Sequence, residues 1–263
     1  MRGLQIGLIA VGALYGQSVF AAPKLSTEAI MAKVEEQTAF GFSTGQAEVE
    51  MLLLPKGAKK PTPRTLDAKA MKVDKKGNRR VLIRFKKPRD VKGMSVLTVE
   101  NSGREGDTYL YSPGLTDKAK RIVGSDKQEA FAGSDFSYGD MDRGYLKGAK
   151  NVRHEDKLVD GEACYHIEVQ PQGKSAYYKR VDMFIRKKDF LTQETRYYDR
   201  RGQRVKVFKL VGVGKSPKGP VATKSKMWTE KTGHTTFLLV KQLDVDESKL
   251  KRVDFEVSKL TSP

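Results

Sequence analysis

The chain has 263 residues, 38% of them hydrophobic, with one cysteine and a formal net charge of +18. This composition supplies enough apolar residues for one globular core, so a chain that is disordered along its length is excluded. A single cysteine also excludes an internal disulfide. The excess of Lys and Arg is typical of proteins with anionic partners, and lipid head groups and nucleic acid are the two obvious classes.

The first 21 residues have the pattern of a secretory signal peptide. A basic Arg2 precedes an apolar run broken by glycines, and small residues surround Ala21, after which cleavage is expected. The run is too short for a membrane-spanning helix, and no later stretch reaches that length. No cysteine lies near the cleavage site, so we expect an exported mature domain over 22–263 without a lipid anchor.

Residues 25–40 predict an amphipathic helix, with Ser26 or Thr27 as its N-cap and with Val34 and Thr38 on its apolar face. After this helix the pattern changes to short alternating segments separated by glycine and proline turns. Strands are predicted at 47–54, 66–74, 79–86, 94–100, 108–111, 151–159, 162–170, 177–186, 192–198, 204–213, 222–229 and 235–243. Many short strands joined by tight turns predict a mainly β protein, an antiparallel meander curled into a barrel or a strongly bent sheet.

Several predicted strands alternate apolar and charged residues, so one face of the sheet is expected to be apolar and the other wet. The residues assigned to the apolar face are Val81, Ile83, Phe85, Tyr109, Tyr111, Val181, Met183, Ile185 and Phe237. A sheet of roughly ten or more strands is too wide to fill its interior with its own side chains. We therefore expect surplus space inside the sheet that a ligand occupies.

One stretch, from Phe131 to Asp142, is neither a strand nor a long helix. It places the rings of Phe131, Phe136 and Tyr138 beside two glycines. Because glycines relax the backbone, the stretch is predicted to be a mobile lid whose aromatic rings face the concave side of the sheet.

The same stretch contains two carboxylates. Ser134 and Asp135 are expected to cap a short helical turn that follows them. Asp135 and Asp140 could form an acid/base pair, but capping, or ion pairs with Arg121 or Arg143, is the simpler interpretation.

Other candidate groups give no catalytic signature. His154, His166 and His234 have no metal-ligand spacing, and Ser134 lacks the Gly-x-Ser-x-Gly elbow of a hydrolase. Cys164 lies in an alternating strand, which predicts a buried and unreactive thiol. We therefore expect neither a metal nor a cofactor, and no enzyme.

Three motifs carry a family resemblance: Gly-Ser-Asp-Phe-Ser-Tyr-x-Asp at 133–140 preceded by Arg121-Ile122, Phe-x-x-Pro-x-Asp-x-x-Gly at 85–93, and Phe-x-Val-x-x-Leu at 255–260. Together they resemble the bacterial outer-membrane lipoprotein-sorting proteins of the LolA-like superfamily, over nearly the whole mature chain. The resemblance implies a periplasmic half-open β-barrel with helices across its mouth and an apolar interior that holds acyl chains.

These observations predict a periplasmic carrier that moves the acyl chains of a lipoprotein or lipid toward the outer membrane. An inner-membrane transporter is a candidate donor. Basic residues on one rim could contact an anionic membrane surface, although ordinary solvated lysines are the simpler interpretation. No nucleic-acid module is recognisable.

Two other functions stay open. One is an envelope sensor or scaffold that binds a protein partner by strand addition at the open sheet edge. The other, with less support, is a hydrolase that uses Ser134 and a distant histidine.

Overall fold

The computed structural model describes residues 25–75, 78–101, 104–172 and 177–261, and the predicted signal peptide lies outside these residues. They form one antiparallel sheet of 14 strands. The strands are β1 (Gly45–Leu54), β2 (Thr62–Lys72), β3 (Arg79–Lys87), β4 (Ser95–Asn101), β5 (Arg104–Tyr111), β6 (Lys120–Ile122), β7 (Lys150–Arg153), β8 (Lys157–Val159), β9 (Glu162–Gln170), β10 (Arg180–Arg186), β11 (Thr192–Tyr198), β12 (Arg204–Ser216), β13 (Gly219–Thr229) and β14 (Thr235–Asp244).

The helices are short. They are α1 (Thr27–Glu35) and α2 (Tyr138–Asp142), accompanied by 3-10 turns at Gly124–Gln128, Phe131–Gly133, Gly144–Leu146, Glu247–Lys249, Arg252–Phe255 and Val257–Lys259. Among the described residues, no helix has the length and apolar character needed to cross a membrane.

The strand order is β6-β5-β4-β3-β2-β1-β14-β13-β12-β11-β10-β9-β7, with β8 beside β9. The chain therefore runs as a meander from the centre of the sheet to one edge, passes to the other edge, and returns until β14 pairs with β1. Residues 123–149 make that single passage between the two edges and are named the crossing segment here. The sheet is curved and does not close, so the predicted fold class is confirmed.

Most predicted strands are present, with two differences. The segment 151–159 was expected to be one strand, but β7 and β8 are separated by residues 154–156. The strand β6 was not predicted, because three residues are too few to show a period of two. All three strands lie at the edges of the sheet, where a strand has a partner on one side only. The prediction errors therefore fall where the fewest neighbouring strands impose regular structure.

The predicted first helix is present but shorter than expected. Ser26 caps it by accepting a hydrogen bond from the Ala29 backbone N–H at 3.2 Å. The helix ends at Glu35, and the Thr38 hydroxyl instead donates to the Phe42 carbonyl at 2.8 Å. That side-chain bond stabilises a turn and competes with a further helical turn.

Two arginines satisfy the carbonyl groups at the end of α1. Arg79 donates to the carbonyls of Glu35 and Glu36, and Arg143 donates to those of Val34 and Gln37. Because the last carbonyls of a helix have no intrahelical partner, these bonds fix α1 against β3 and the crossing segment.

The main core lies on the concave face. It joins side chains of α1, the crossing segment and the inner side of the strands, including Val81, Ile83, Phe85, Val181, Met183 and Ile185 as predicted for the apolar face. These six residues pack among other apolar side chains, so they share one surface.

A second core lies on the convex face, which was expected to be wet. Leu82 and Leu97 are buried there beneath Phe255 and Leu260 of the C-terminal segment. Arg80 donates to the Phe255 carbonyl at 3.1 Å and so holds this segment in place.

Tyr109 and Tyr111 pack against this second core. The prediction that they share the apolar face of Phe85 is therefore wrong. In β5 the interior position between them belongs to Leu110, which packs against the main core. Since three apolar residues follow one another here, alternation could not decide which face the tyrosines take.

Candidate functional site

The aromatic residues of the crossing segment lie inside the curved sheet. Phe131, Phe136 and Tyr138 are all at most 5% exposed. Phe131 lies 5.5 Å from Phe85 between ring centroids, and Phe136 lies 6.5 Å from Phe208 of β12. The segment therefore acts as an apolar cover of the concave face that reaches from β3 to β12.

The helix α2 begins later than predicted, and its cap is different. Ser137 accepts a hydrogen bond from the Asp140 N–H at 3.1 Å, while the Asp140 carboxylate accepts from the Ser137 N–H at 2.8 Å. The expected caps, Ser134 and Asp135, are wrong. The Ser-x-x-Asp spacing of this capping box was present in the sequence and could have identified the true cap.

Asp135 instead binds the β13–β14 hairpin. Its carboxylate, 2% exposed, accepts hydrogen bonds from the hydroxyls of Thr229 at 2.6 Å and Thr236 at 2.7 Å. His234 Nδ1 lies 2.6 Å from the carboxylate oxygen Oδ2. Every one of these partners is about 100 residues away in sequence, so local reasoning could not find them.

Asp140 connects α2 to the strands opposite. Its carboxylate lies 3.0 Å from the Lys206 ammonium and accepts a hydrogen bond from the Tyr178 hydroxyl at 2.7 Å. Burial, followed by the charge of Asp140, raises the pKa of Tyr178 well above its ordinary value. The tyrosine therefore stays a hydrogen-bond donor at neutral pH.

The ion pairs predicted for these carboxylates are wrong. Arg121 pairs with Asp107 on the neighbouring strand, and Arg143 serves the carbonyls of α1. Capping, the other role expected of these carboxylates, is confirmed for Asp140, which forms the capping box with Ser137.

Asp142 holds the start of the crossing segment and β5 together. It lies 2.8 Å from the Lys127 ammonium and accepts a hydrogen bond from the Thr108 hydroxyl at 3.0 Å. Burial raises the pKa of Asp142, and the nearby Lys127 charge opposes that rise. Three buried carboxylates thus fix the crossing segment at three separate places.

The two glycines of this segment have local structural roles. Gly133 has φ +72°, a conformation that glycine adopts most readily. A Cβ at Gly139 would lie 2.9 Å from the Tyr177 ring, so this glycine permits close packing. Backbone geometry accounts for Gly133 and close packing for Gly139, and the mobility of the lid stays a prediction.

An apolar cavity of about 70 Å³ lies between the crossing segment, the turn after α1 and strands β10–β13. Its lining includes Thr38, Phe136, Tyr145, Met183, Leu191, Tyr197, Phe208 and Leu210. Ligand pockets are typically several hundred Å³. The expectation of large surplus space is therefore wrong for this conformation, because α1 and the crossing segment fill the interior.

A second cleft, of about 370 Å³, lies at the end of the sheet beside Asp135 and His234. Among the described residues, Phe136 alone lines both this cleft and the interior cavity. Phe136 therefore lies at the boundary between the cleft and the apolar interior.

Phe237, predicted for the apolar face, lies on the convex side, so that prediction is wrong. Lys224 is 5.9 Å from its ring centroid, while its neighbour Leu238 is buried in the main core. The run of apolar residues over 237–240 fits either face, so its alternation could not choose between them.

The groups considered for chemistry are engaged in structural contacts. The Ser134 hydroxyl donates to the Phe136 carbonyl at 3.3 Å and accepts from the Phe136 N–H at 3.2 Å. His234 is bonded to Asp135. Cys164 is fully buried, and burial raises the pKa of its thiol to about 11. Within the described ranges, no group of three or more His, Cys, Asp or Glu could hold a metal ion.

Comparison with solved structures defines the class of fold. A domain described as an outer membrane lipoprotein-sorting protein from Vibrio parahaemolyticus is 24% identical, with a TM-score of 0.77 over 88% of this chain and 96% of that one. A DUF1329 family protein from Desulfovibrio piger is 26% identical, with a TM-score of 0.77 over 88% and 95%. A LolA superfamily protein from Nitrosomonas europaea is 15% identical, with a TM-score of 0.68 over 89% and 98%. The structure has the LolA-like fold, which confirms the resemblance drawn from the sequence.

Residues 77–262 match a family model whose description reads "Uncharacterized protein", and the chain belongs to that family. A search of curated proteins finds no match.

Proposed function

We propose that this protein is a periplasmic carrier that binds the acyl chains of a lipid or lipoprotein inside its curved sheet. The observation that carries the proposal is the position of Phe136, between the cleft at the sheet end and the apolar cavity. The LolA-like fold, shared with a domain described as lipoprotein-sorting, supports the same function.

An acyl chain would pass from the cleft into the interior when the Phe136 ring moves aside. Beyond it lie Met183, Phe208 and Leu210, which line the cavity. Burial of each CH₂ group contributes roughly 0.8 kcal/mol, so a long chain supplies enough free energy to displace part of the cover. No catalytic group takes part in this mechanism.

The edges of the sheet give less support to a scaffold that works by strand addition. The edge strands β6, β7 and β8 have three, four and three residues. Short edges offer few unpaired backbone groups to a partner strand. Acyl-chain binding therefore stands as the main proposal.

The test is mass spectrometry of the protein purified from the periplasm without detergent. We expect co-purifying molecules with acyl chains and, after their removal, saturable binding of a fluorescent fatty acid. The intact mass should correspond to a chain that begins at Ala22. A protein that arrives without lipid and does not bind the probe would exclude carriage, and a co-purifying protein would then favour the sensor or scaffold.

A further inference from the structure

One end of the sheet is formed by turns that connect neighbouring antiparallel strands. These turns include those that join β1 to β2, β3 to β4, β5 to β6, β11 to β12 and β13 to β14. Their residues are 55–61, 88–94, 112–119, 199–203 and 230–234, and together they are named the basic rim. Because the joined strands are adjacent in the sheet, the turns follow one another along a continuous arc.

The turns of this rim carry nine Lys and Arg residues against four Asp and Glu residues, an excess of five positive charges. Eight exposed cations form no ion pair with any described carboxylate: Lys56, Lys59, Lys60, Arg89, Lys92, Lys118, Arg201 and Lys231. Their fields therefore add along the arc, and they extend into solvent by about a Debye length.

The opposite rim differs. Its ion pairs include Lys187 with Asp156, Lys188 with Glu162 and Lys218 with Glu247, at 2.6 to 2.7 Å. Unpaired positive charge is therefore concentrated at the basic rim. A surface with evenly distributed, solvated lysines would not show this difference between the two ends of the sheet.

The basic rim also carries an exposed apolar residue and the cleft. Leu115, at the tip of the β5–β6 turn, is 84% exposed, the highest value among the described large hydrophobic residues. The cleft beside Phe136 includes Thr232 and His234 of the β13–β14 turn, so it opens at the same rim.

From this arrangement we infer that the basic rim docks on an anionic bilayer leaflet, with Leu115 at the head-group level and the cleft facing the lipid. The cations occupy several turns along an arc, which suits a broad charged surface better than a single acidic peptide. Binding at a membrane interface combines buried apolar area with attraction of cations to anionic lipids, and Leu115 supplies an apolar side chain at the same rim. Docking on the membrane does not require cargo. The role of the cleft in this orientation, as an entrance for acyl chains, rests on the proposed carrier function.

The experiment measures binding of the mature protein to vesicles of phosphatidylcholine, with and without phosphatidylglycerol. We expect binding only to the anionic vesicles, weakening as salt is raised. The triple variant Lys56→Gln, Lys59→Gln and Lys60→Gln should bind about 100-fold more weakly, because each cation near an anionic leaflet contributes roughly a fivefold factor. The control Lys75→Gln, Lys215→Gln and Lys251→Gln removes the same charge from exposed sites off the rim and should bind like the parent.

Orientation is tested by tryptophan fluorescence. Leu115→Trp should shift to the blue on anionic vesicles, whereas Leu158→Trp, at the opposite end of the sheet and 75% exposed in the parent, should not. Equal loss of binding in both triple variants, a blue shift at residue 158 instead of 115, or no binding to anionic vesicles at low salt would overturn the inference.

A fatty-acid probe without vesicles separates this inference from the carrier proposal. If the protein binds the probe but not the vesicles, the docking inference is wrong and the carrier proposal stands. If the protein binds the vesicles but not the probe, the docking inference stands and the carrier proposal is wrong.

Discussion

The two faces of the sheet are each covered by a segment without strands that buries apolar side chains, but buried carboxylates also hold the concave cover. On the concave face, the crossing segment is fixed by the buried carboxylates of Asp135, Asp140 and Asp142. On the convex face, the C-terminal segment is held mainly by the apolar side chains of Phe255 and Leu260.

This difference shows how one fold can have a permanent cover and a releasable one. A buried carboxylate specifies a single position, because leaving it or its partner unpaired is costly. Water or a lipid head group can replace such polar contacts when the segment moves out, and an acyl chain in the interior can cover the aromatic rings that the segment exposes. The apolar side chains of the convex cover have no such replacement. We therefore expect cargo to move the concave cover and to leave the convex cover in place.

The largest expected effect is that of Asp140→Ala. It leaves the Lys206 ammonium and the Tyr178 hydroxyl without their buried partner, and it should lower the free energy of unfolding by about 3–5 kcal/mol. The matched control is Asp254→Ala on the convex cover, where the pair with Lys69 is partly exposed and should contribute less than about 1 kcal/mol. Chemical denaturation measures both, and equal losses would remove the distinction between the covers.

The second prediction compares two buried phenylalanines. Phe136→Ala and Phe255→Ala should each lower stability by about 3 kcal/mol, because both rings are at most 3% exposed. Only Phe136→Ala should change the affinity or release rate of a fatty-acid probe, measured at equal folded fraction. If both variants bind and release the probe like the parent, the crossing segment is a structural clasp and not a lid.

The third prediction concerns alkaline pH. Burial raises the pKa of Tyr138 to about 12 and also raises the pKa values of Tyr145, Tyr178 and Tyr197. The unfolded chain ionises its tyrosines near pH 10. The stability that the buried, neutral tyrosines contribute to the folded protein is therefore fully present below pH 10. It is lost as the pH rises toward their pKa values in the folded protein. Each such tyrosine should lower the unfolding free energy by up to about 1.4 kcal/mol per pH unit in that window.

Denaturation curves below and above pH 10, with tyrosinate absorbance, measure this loss. The variant Tyr197→Phe should lose less stability than the parent over the same interval. An identical loss in the two proteins would show that these tyrosines do not cause the alkaline sensitivity.

The smallest expected effect is that of cargo on Cys164, which lies beside Phe184 in a small convex cluster away from both covers. Because its thiol is buried and has a pKa of about 11, a polar thiol reagent should label it only after unfolding. A saturating fatty-acid probe should not speed the labelling. Faster labelling with the probe would mean that cargo opens the sheet itself and not only its concave cover.

The sequence alone determined the strands and much of the interior. The alternation of apolar and charged residues placed Val81, Ile83 and Phe85 on one face, because successive side chains of a strand point to opposite faces of the sheet. The Ser26 cap was likewise readable, because capping needs only neighbouring residues. The family motifs added the LolA-like fold.

Only the tertiary structure decided how the two faces are covered and which residues line the cavity. Tyr109 and Phe237 lie in apolar runs, so their face depended on what packs against the sheet. Asp135 found its partners about a hundred residues away, in the β13–β14 hairpin. Local spacing determines which way a side chain points within its own strand, but contacts between distant segments exist only after the sheet has curved and brought them together.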